Sequence, residues 1–357
     1  MSVEPINVDD FEQLAREKLD AGAYGYFAGG AGDEHTLREN AAAFTRWQLR
    51  PRVLVDVGAV STATTLLGTE ISLPLVVAPT AFHRLAHGEG ELTTARAAAA
   101  AGTIMCLSTL ASVSPAEIAA AVPGAPQWFQ LYWSQDRGFT EELLESVAEA
   151  GFRALVLTVD LPVAGRRERD IRAAFALPDD LPLPNLPVRL QREDFHRALG
   201  VIVDPRLTWR DLEWLRETCP LPLVVKGVLT AEDALLAVEH GAAAVIVSNH
   251  GGRQLDGVPP ALDVLPEVVE AVGERTEVLV DGGIRRGGDV LKALALGARA
   301  ACSGRAILWG LAAGGEAGAR QVIEVLRSEL EVGLQLLGCS SPAEVTRAHV
   351  RRSGSAV

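Results

Sequence analysis

The sequence predicts an α/β protein folded as a (β/α)8 barrel, and three observations carry that prediction. Eight short apolar runs recur along the chain: "LPLVVAPTA" (73–81), "TIMCLSTL" (103–110), "QWFQLYW" (127–133), "ALVLTVD" (154–160), "LPLVVKG" (221–227), "AAVIVSN" (243–249), "EVLVDGG" (277–283) and "ARAACSGR" (298–305). Their hydrophobicity is near-continuous rather than alternating, which marks strands covered on both faces, as in a parallel sheet. Polar residues stand at the C-terminal ends of the runs: Thr80, Ser108, Gln130 with Tyr132, Asp160, Lys226, His250, Asp281 and Arg305. A doubly wound open sheet would also alternate strands and helices, but it gathers its site at one switch point. A barrel brings all eight strand ends around one mouth, and the barrel is therefore the expected fold.

Taken in order, residues 1–70 precede the first strand and predict a helical extension packed on the barrel of residues 71–357. The opening stretch "MSVEPINVDDFEQLAREKLD" is acidic and lacks an apolar core, so it does not read as a secretory signal. The segments between runs read as helices. In "SPAEIAAAV", Ser114 is the expected N-cap, Pro115 the first helical residue and Glu117 the closing member of a capping box. Gly102, Gly151, Gly241 and Gly297 each follow an Ala/Leu-rich stretch and predict helix stops. Residues 161–220 make the interval after strand four far longer than the rest. Its section "LPDDLPLPNLPVRL" is too proline-rich for helix or central strand. A loop of that length at the mouth of a barrel is a lid or a disordered insertion.

Composition narrows the function classes. With 357 residues, 48% of them hydrophobic, the chain has material for a large core. A formal charge of −13 argues against binding through nucleic-acid phosphates. The four cysteines, Cys106, Cys219, Cys302 and Cys339, are scattered without CxxC pairing, which predicts neither disulfides nor a zinc site and suits a reducing, cytoplasmic compartment. No stretch approaches eighteen uncharged apolar residues, so no spanning helix is expected. P-loop, HExxH, serine-elbow and dinucleotide patterns are missing, and "GGAGDE" (29–34) follows no strand.

Chemistry concentrates in two stretches. "VIVSNHGGRQLDG" (245–257) passes from a buried strand to His250, a glycine pair and Arg253. The glycines remove bulk where something must approach the backbone. An imidazole accepts a proton near neutral pH, and a guanidinium grips a carboxylate through parallel charged hydrogen bonds. That pairing suits proton or hydride removal beside a carboxylate; a satisfied structural pair is the plainer reading. The other histidines, His35, His83, His87, His196, His240 and His349, carry no such context. In "VDGGIRRGGDVLKALALGA", Asp281, Gly282 and Gly283 end strand seven ahead of Arg285, while Gly304 and Arg305 end strand eight. Barrels bind phosphate with these two loops. Lys226 ends strand five in apolar surroundings, as either a Schiff-base lysine or a cation placed for an anionic cofactor.

These residues also resemble a known family, the FMN-dependent 2-hydroxy acid oxidising enzymes. The resemblance runs from about residue 7 to 350 through "YGYFAGGAGDEHTLREN", "APTAFHRLAHGEGE", "WFQLYW", "TVDLPVAGRRERDI", "SNHGGRQLDG" and "VDGGIRRGGDVLKALALGA". It implies that His250 is the catalytic histidine, that Asp160 supports it, and that Arg253 and Arg167 handle the substrate carboxylate. Tyr26 and Tyr132 would help to hold substrate, and Lys226 would stand at the flavin's pyrimidine edge. Pro79, Thr80, Ala81, Ser108, Gln130, Thr158 and Ser248 match flavin or ribityl contacts. Asp281, Gly282, Gly283, Arg285, Gly304 and Arg305 match the ribityl and phosphate site. Without the motif context, Tyr26 would read as helix core and Arg167 as part of a solvated charge run.

The resemblance further implies FMN as cofactor, a 2-hydroxy acid as substrate, O2 as electron acceptor, and assembly into homotetramers or homo-octamers without membrane attachment. Leu110 replaces the tryptophan of glycolate-specialised members, Val163-Ala164 an Arg-Leu pair, and Phe27 a tyrosine. Leucine leaves more apolar room than an indole, and each buried methylene gains about 0.8 kcal/mol, so longer aliphatic or aromatic substrates are expected over glycolate. Family monooxygenases tend to carry glycine at position 81, and the membrane-bound dehydrogenases an apolar segment in the long loop. Here position 81 is alanine, and 161–220 holds only scattered apolar residues such as Phe195, Trp209 and Trp214, with no haem domain ahead of the barrel. The expectation is a soluble oxidase, with a soluble quinone- or cytochrome-linked dehydrogenase or a lactate monooxygenase-like enzyme as alternatives. Other phosphate-binding barrels would lack His250-x-x-Arg253 together with Tyr26 and Tyr132.

Overall fold

The computed structural model describes residues 4–187 and 202–354. Three helices come first: α1 (Val8–Lys18), α2 (Ala21–Ala28) and α3 (His35–Thr45). The Asn7 side chain accepts from the Asp10 amide and Asp20 from that of Ala23, which satisfies N–H groups the first turns of α1 and α2 leave open. Beyond Thr45 the extension turns to short strands, β1 (Trp47–Leu49), β2 (Thr64–Leu66) and β3 (Thr69–Ile71). Strand β1 pairs antiparallel with the late strand Val350–Arg352, and β2 pairs with β3.

The apolar runs then form the expected alternation. In chain order it reads β4 (Leu75–Val77), α4 (Glu91–Ala100), β5 (Met105–Ser108), α5 (Pro115–Ala121), β6 (Gln127–Leu131), α6 (Arg137–Glu149) and β7 (Ala154–Thr158). The long interval holds α7 (Glu168–Arg172) and α8 (Asp211–Thr218). Residues 188–201 within it, including Phe195 and His196, lie outside the described residues. There follow β8 (Leu223–Val228), α9 (Ala231–Glu239), β9 (Ala244–Val247), α10 (Ala261–Val272), β10 (Glu277–Asp281), α11 (Gly287–Ala295), β11 (Ala300–Ser303) and α12 (Arg305–Leu337). The last strand, Val350–Arg352, is β12. Strands β4 to β11 pair in sequence, and β11 pairs with β4, which closes the barrel. Ser114 and Glu117 form the capping box that starts α5, with Pro115 at its first turn. Gly102, Gly151, Gly241 and Gly297 all take positive φ, the backbone turn that stops a helix.

Strand periodicity positions the site. Val76, Cys106, Trp128, Val156, Val224, Ile246, Leu279 and Cys302 belong to one buried cluster, to which every barrel strand contributes. Side chains two apart share a face of a strand. The next step toward the C-terminal ends is therefore Ala78, Ser108, Gln130, Thr158, Lys226, Ser248, Asp281 and Gly304. The apolar lumen becomes polar in one layer. At the opposite end, Leu66 and Ile71 of the β2–β3 hairpin join the same cluster and close the barrel floor. Among the described residues, no helix is long and apolar enough to cross a membrane.

Candidate active site

A cavity of about 570 Å³ opens above that polar layer. Its lining includes Tyr26, Leu110, Tyr132, Arg167, Lys226, His250 and Arg253. Pro79, Thr80, Ala81, Ser108, Asp281, Gly282, Gly283, Arg285, Gly304 and Arg305 border it as well. Asp160 and Ser248 stand directly behind, each bonded to a lining side chain. Thr158 borders a second cavity instead. Gln130 lines neither cavity and accepts from the Ser108 hydroxyl at 3.1 Å; the remaining expected site residues line the mouth or stand directly behind it.

His250 follows β9 in a left-handed conformation, with φ of 58°, as do Gly251 at 62° and Gly252 at 76°. For a non-glycine residue that geometry costs energy, and it aims the imidazole across the mouth. Nδ1 lies 2.8 Å from Asp160 Oδ1, and the backbone N–H donates to Ser248 Oγ at 3.0 Å. With Nδ1–H held by the carboxylate, Nε2 is the nitrogen with a free lone pair. Burial pushes the imidazole below its usual range, against the pull of Asp160, so it is neutral near pH 7. Burial would raise the Asp160 carboxyl, but His250 and Lys226 outweigh it and hold the group below its ordinary value. The pair is an oriented neutral base backed by a carboxylate.

Lys226 has two readings from sequence, and its surroundings decide between them. Its Nζ lies 3.5 Å from Asp281 Oδ2 and 3.9 Å from Asp160 Oδ2, and it donates to Ser248 Oγ at 3.0 Å. Burial disfavours the ammonium, but the two carboxylates override burial and raise it. A lysine held protonated is a poor nucleophile and a good fixed cation. The Schiff-base reading falls away.

Positive charge fills the rim. Arg167 stands at the N-terminal boundary of α7 and is 6% exposed, while its neighbour Arg166 projects into solvent. Arg253 Nη1 donates to the carbonyls of Tyr26 at 2.6 Å and Gly29 at 2.9 Å, and its guanidinium lies 4.8 Å from the Tyr26 ring centre. Burial, then the adjacent charge of Arg167, pushes Arg253 down to about 10. Arg305 falls to about 9 through burial, then the charges of Arg253 and Arg285. Like charges crowded in low dielectric favour an arriving anion. Tyr132 is pushed up to about 12, chiefly by burial, and stays a neutral O–H donor.

The glycine pairs make room for other parts of the protein. A Cβ on Gly252 would lie 2.6 Å from the Leu37 amide of α3, and one on Gly251 2.8 Å from Arg305 Nη1. A Cβ on Gly283 would lie 2.2 Å from the Asn40 carbonyl oxygen. Arg305 donates to the carbonyls of Phe27, Gly251 and Gly29, and Arg285 pairs with Asp9 and Glu12. Both arginines expected at a phosphate also pin the N-terminal helices to the barrel.

That wall was the least visible part of the sequence. Glu12, Tyr24, Phe27 and Asn40 line the cavity. Asn40 exchanges reciprocal 2.8 Å hydrogen bonds with Asn249. An asparagine within a helical run carries no signal of its own. His83, given no role from sequence, is buried against Thr80 and Thr94 and steadies the Thr80 hydroxyl at the cavity edge.

The residues fit FMN. Gln130 Nε2 and Asp281 Oδ1 are buried with no hydrogen-bond partner in the protein, a donor and an acceptor on the lumen face. A ring with carbonyl oxygens and a polyol chain satisfies both. Gly282, Gly283 and Gly304 expose backbone beside Arg285 and Arg305, as a phosphate requires. Lys226 supplies the fixed cation beneath. Among the described residues no group of three or more His, Cys, Asp or Glu side chains is placed to hold a metal ion.

Comparison with known proteins agrees. The chain matches a family model described as FMN-dependent dehydrogenase over residues 15–352. It is 52% identical over 352 residues to an L-lactate oxidase of Nostoc sp., spanning 96% of each chain. It is 50% identical over 361 residues to a peroxisomal (S)-2-hydroxy-acid oxidase of Oryza sativa subsp. japonica, spanning 99% of this chain and 98% of that one. A solved mandelate oxidase superposes with a TM-score of 0.92 at 42% identity, over 99% of this chain and 100% of that one.

Proposed function

The chain belongs to the FMN-dependent dehydrogenase family, and on that premise we propose that it oxidises an (S)-2-hydroxy acid to the 2-oxo acid, with O2 as acceptor and hydrogen peroxide as product. The observation that supports this reading most is the placement of a neutral His250, backed by the Asp160 carboxylate, with two buried arginines on a single cavity. Arg253 and Arg167 hold the substrate carboxylate, and the hydroxyls of Tyr26 and Tyr132 position its oxygens. His250 Nε2 takes the proton that leaves the CH–OH unit, and Asp160 stabilises the imidazolium that forms. Bound FMN supplies the two-electron acceptor. Lys226 and the rim arginines favour the negative charge that the site gains. Leu110 lines the cavity, and a leucine fills less of it than an indole would, which supports a preference for longer aliphatic or aromatic acids over glycolate. Assembly into homotetramers or homo-octamers belongs to the same reading, and light scattering on the purified protein measures it.

Two expected outcomes test this site. As His250 gains a proton in acid, kcat/KM falls, because imidazolium accepts no further proton. The midpoint of that fall lies below 6.5, the ordinary histidine value, because burial lowers the group. A profile that is level through neutral pH and drops only in acid is the expected result. Leu110→Trp is expected to shift the ratio of kcat/KM for mandelate over glycolate down by roughly ten- to a hundredfold. Assays on glycolate, lactate, 2-hydroxyoctanoate and mandelate, with peroxide measured in air, check substrate preference and acceptor together. Glycolate as the preferred substrate of the parent would refute the preference.

A further inference from the structure

A second cavity of about 430 Å³ lies beside the first, between the ends of β7 and β8 and the segment leading into α8. The two share a thin wall. Tyr132 borders one and Trp133 the other; Lys226 borders one and Gly227 the other. Among the described residues, Leu161 borders both. It directly follows Asp160, the partner of the catalytic base, and is 2% exposed. Leu161 is therefore the described residue at which the two cavities adjoin, past the end of β7.

Their linings differ in character. Arg167, Arg253 and Lys226 make the catalytic cavity cationic. The second presents Trp133, Val203, Leu207 and Leu212, with the carboxylate of Asp233, that of Asp204 already paired with Arg206, and no Lys, Arg or His among its described lining residues. An anionic group is held in the first cavity and meets no lining cation in the second, whereas an uncharged apolar chain gains from entering it. Its volume falls within the roughly 300–1,000 Å³ of small-molecule pockets.

We propose that this second cavity receives the apolar tail of an alkyl or aryl 2-hydroxy acid whose carboxylate sits on Arg253 and Arg167, and that Leu161 is the residue the tail displaces. The carboxylate and the tail are sorted by charge, so the substrate binds in one direction. This rests on the functional reading above and deepens it to a substrate class.

The test is a series of (S)-2-hydroxy acids from 2-hydroxybutanoate to 2-hydroxydecanoate on the FMN-loaded parent, Leu161→Ala, Leu161→Phe and Leu207→Trp. Competitive inhibition by butanoate, octanoate and decanoate is measured alongside, as a binding readout without turnover. In the parent, kcat/KM is expected to rise about fourfold per methylene until the cavity is filled. Leu161→Ala steepens that rise. Leu161→Phe narrows the junction and Leu207→Trp fills the far wall. Each lowers the ratio of 2-hydroxyoctanoate to 2-hydroxybutanoate at least tenfold and weakens octanoate inhibition in parallel. Two separate variants block the same path, so a folding defect in one leaves the other to decide. A chain-length dependence that neither blocking variant alters overturns the tail site. If no 2-hydroxy acid of any length bleaches the parent's flavin, the functional reading itself fails, which is a distinguishable result.

Discussion

His250→Gln is expected to slow reduction of the bound flavin by (S)-2-hydroxy acid by about 10²–10⁴-fold while FMN remains bound at full stoichiometry. The size follows from what the imidazole supplies. Nδ1 is fixed on Asp160 at 2.8 Å, burial keeps the ring neutral, and Nε2 remains to take the proton. Glutamine keeps polarity and similar reach but cannot accept a proton, so the loss falls on the chemical step. Rapid anaerobic mixing with absorbance detection separates that step from binding. Asp160→Asn makes a companion with a distinctive sign. Asp160 raises the His250 value, so its loss lowers the rate and moves the acid limb to still lower pH. A purely structural role would move the rate without moving that limb.

Lys226→Met is expected to destabilise the fold by about 3–5 kcal/mol, because removing one member of a buried ion cluster leaves the others uncompensated. Lys226 is 4% exposed and sits between Asp281 and Asp160, so its loss removes the cation from both carboxylates at the top of the barrel lumen and leaves Asp160 with His250. Adding Asp281→Asn to Lys226→Met restores part of the loss, and the double-mutant cycle measures the coupling. The pH dependence should follow. Asp160 lies below its ordinary value through Lys226 as well as His250, so its stabilising share is present at neutral pH and lost as acid titrates it. Without Lys226 that loss begins at higher pH. Denaturant titrations of parent and variants between neutral and acidic pH check both statements.

Much of the fold was legible because a parallel barrel writes its strands plainly. Each strand is buried on both faces, so each reads as an apolar run, and a polar residue appears two positions beyond the last lumen contact. Ser108, Gln130, Lys226 and Asp281 were visible for that reason. The extension was harder. After α3 it forms three-residue strands, one of which pairs with Val350–Arg352 at the far end of the chain, and three residues are too few to show a period. Arg167 and Arg166 are neighbours in a charge run, yet one is buried and one exposed. Only the packing of α7 and the approach of Arg253 to Tyr26 decide which. The glycines were read correctly as points of close approach, but the structure places Leu37, Asn40 and Arg305 there. Local sequence states that room is needed and stays silent on the visitor.

The most direct measurement is anaerobic titration of the FMN-loaded protein with both enantiomers of a 2-hydroxy acid such as lactate or mandelate. The site as built predicts bleaching of the flavin by the (S) form with one equivalent of 2-oxo acid released, and loss of that bleaching in His250→Gln. A flavin that stays oxidised with every 2-hydroxy acid, or that is bleached equally fast without His250, would contradict it.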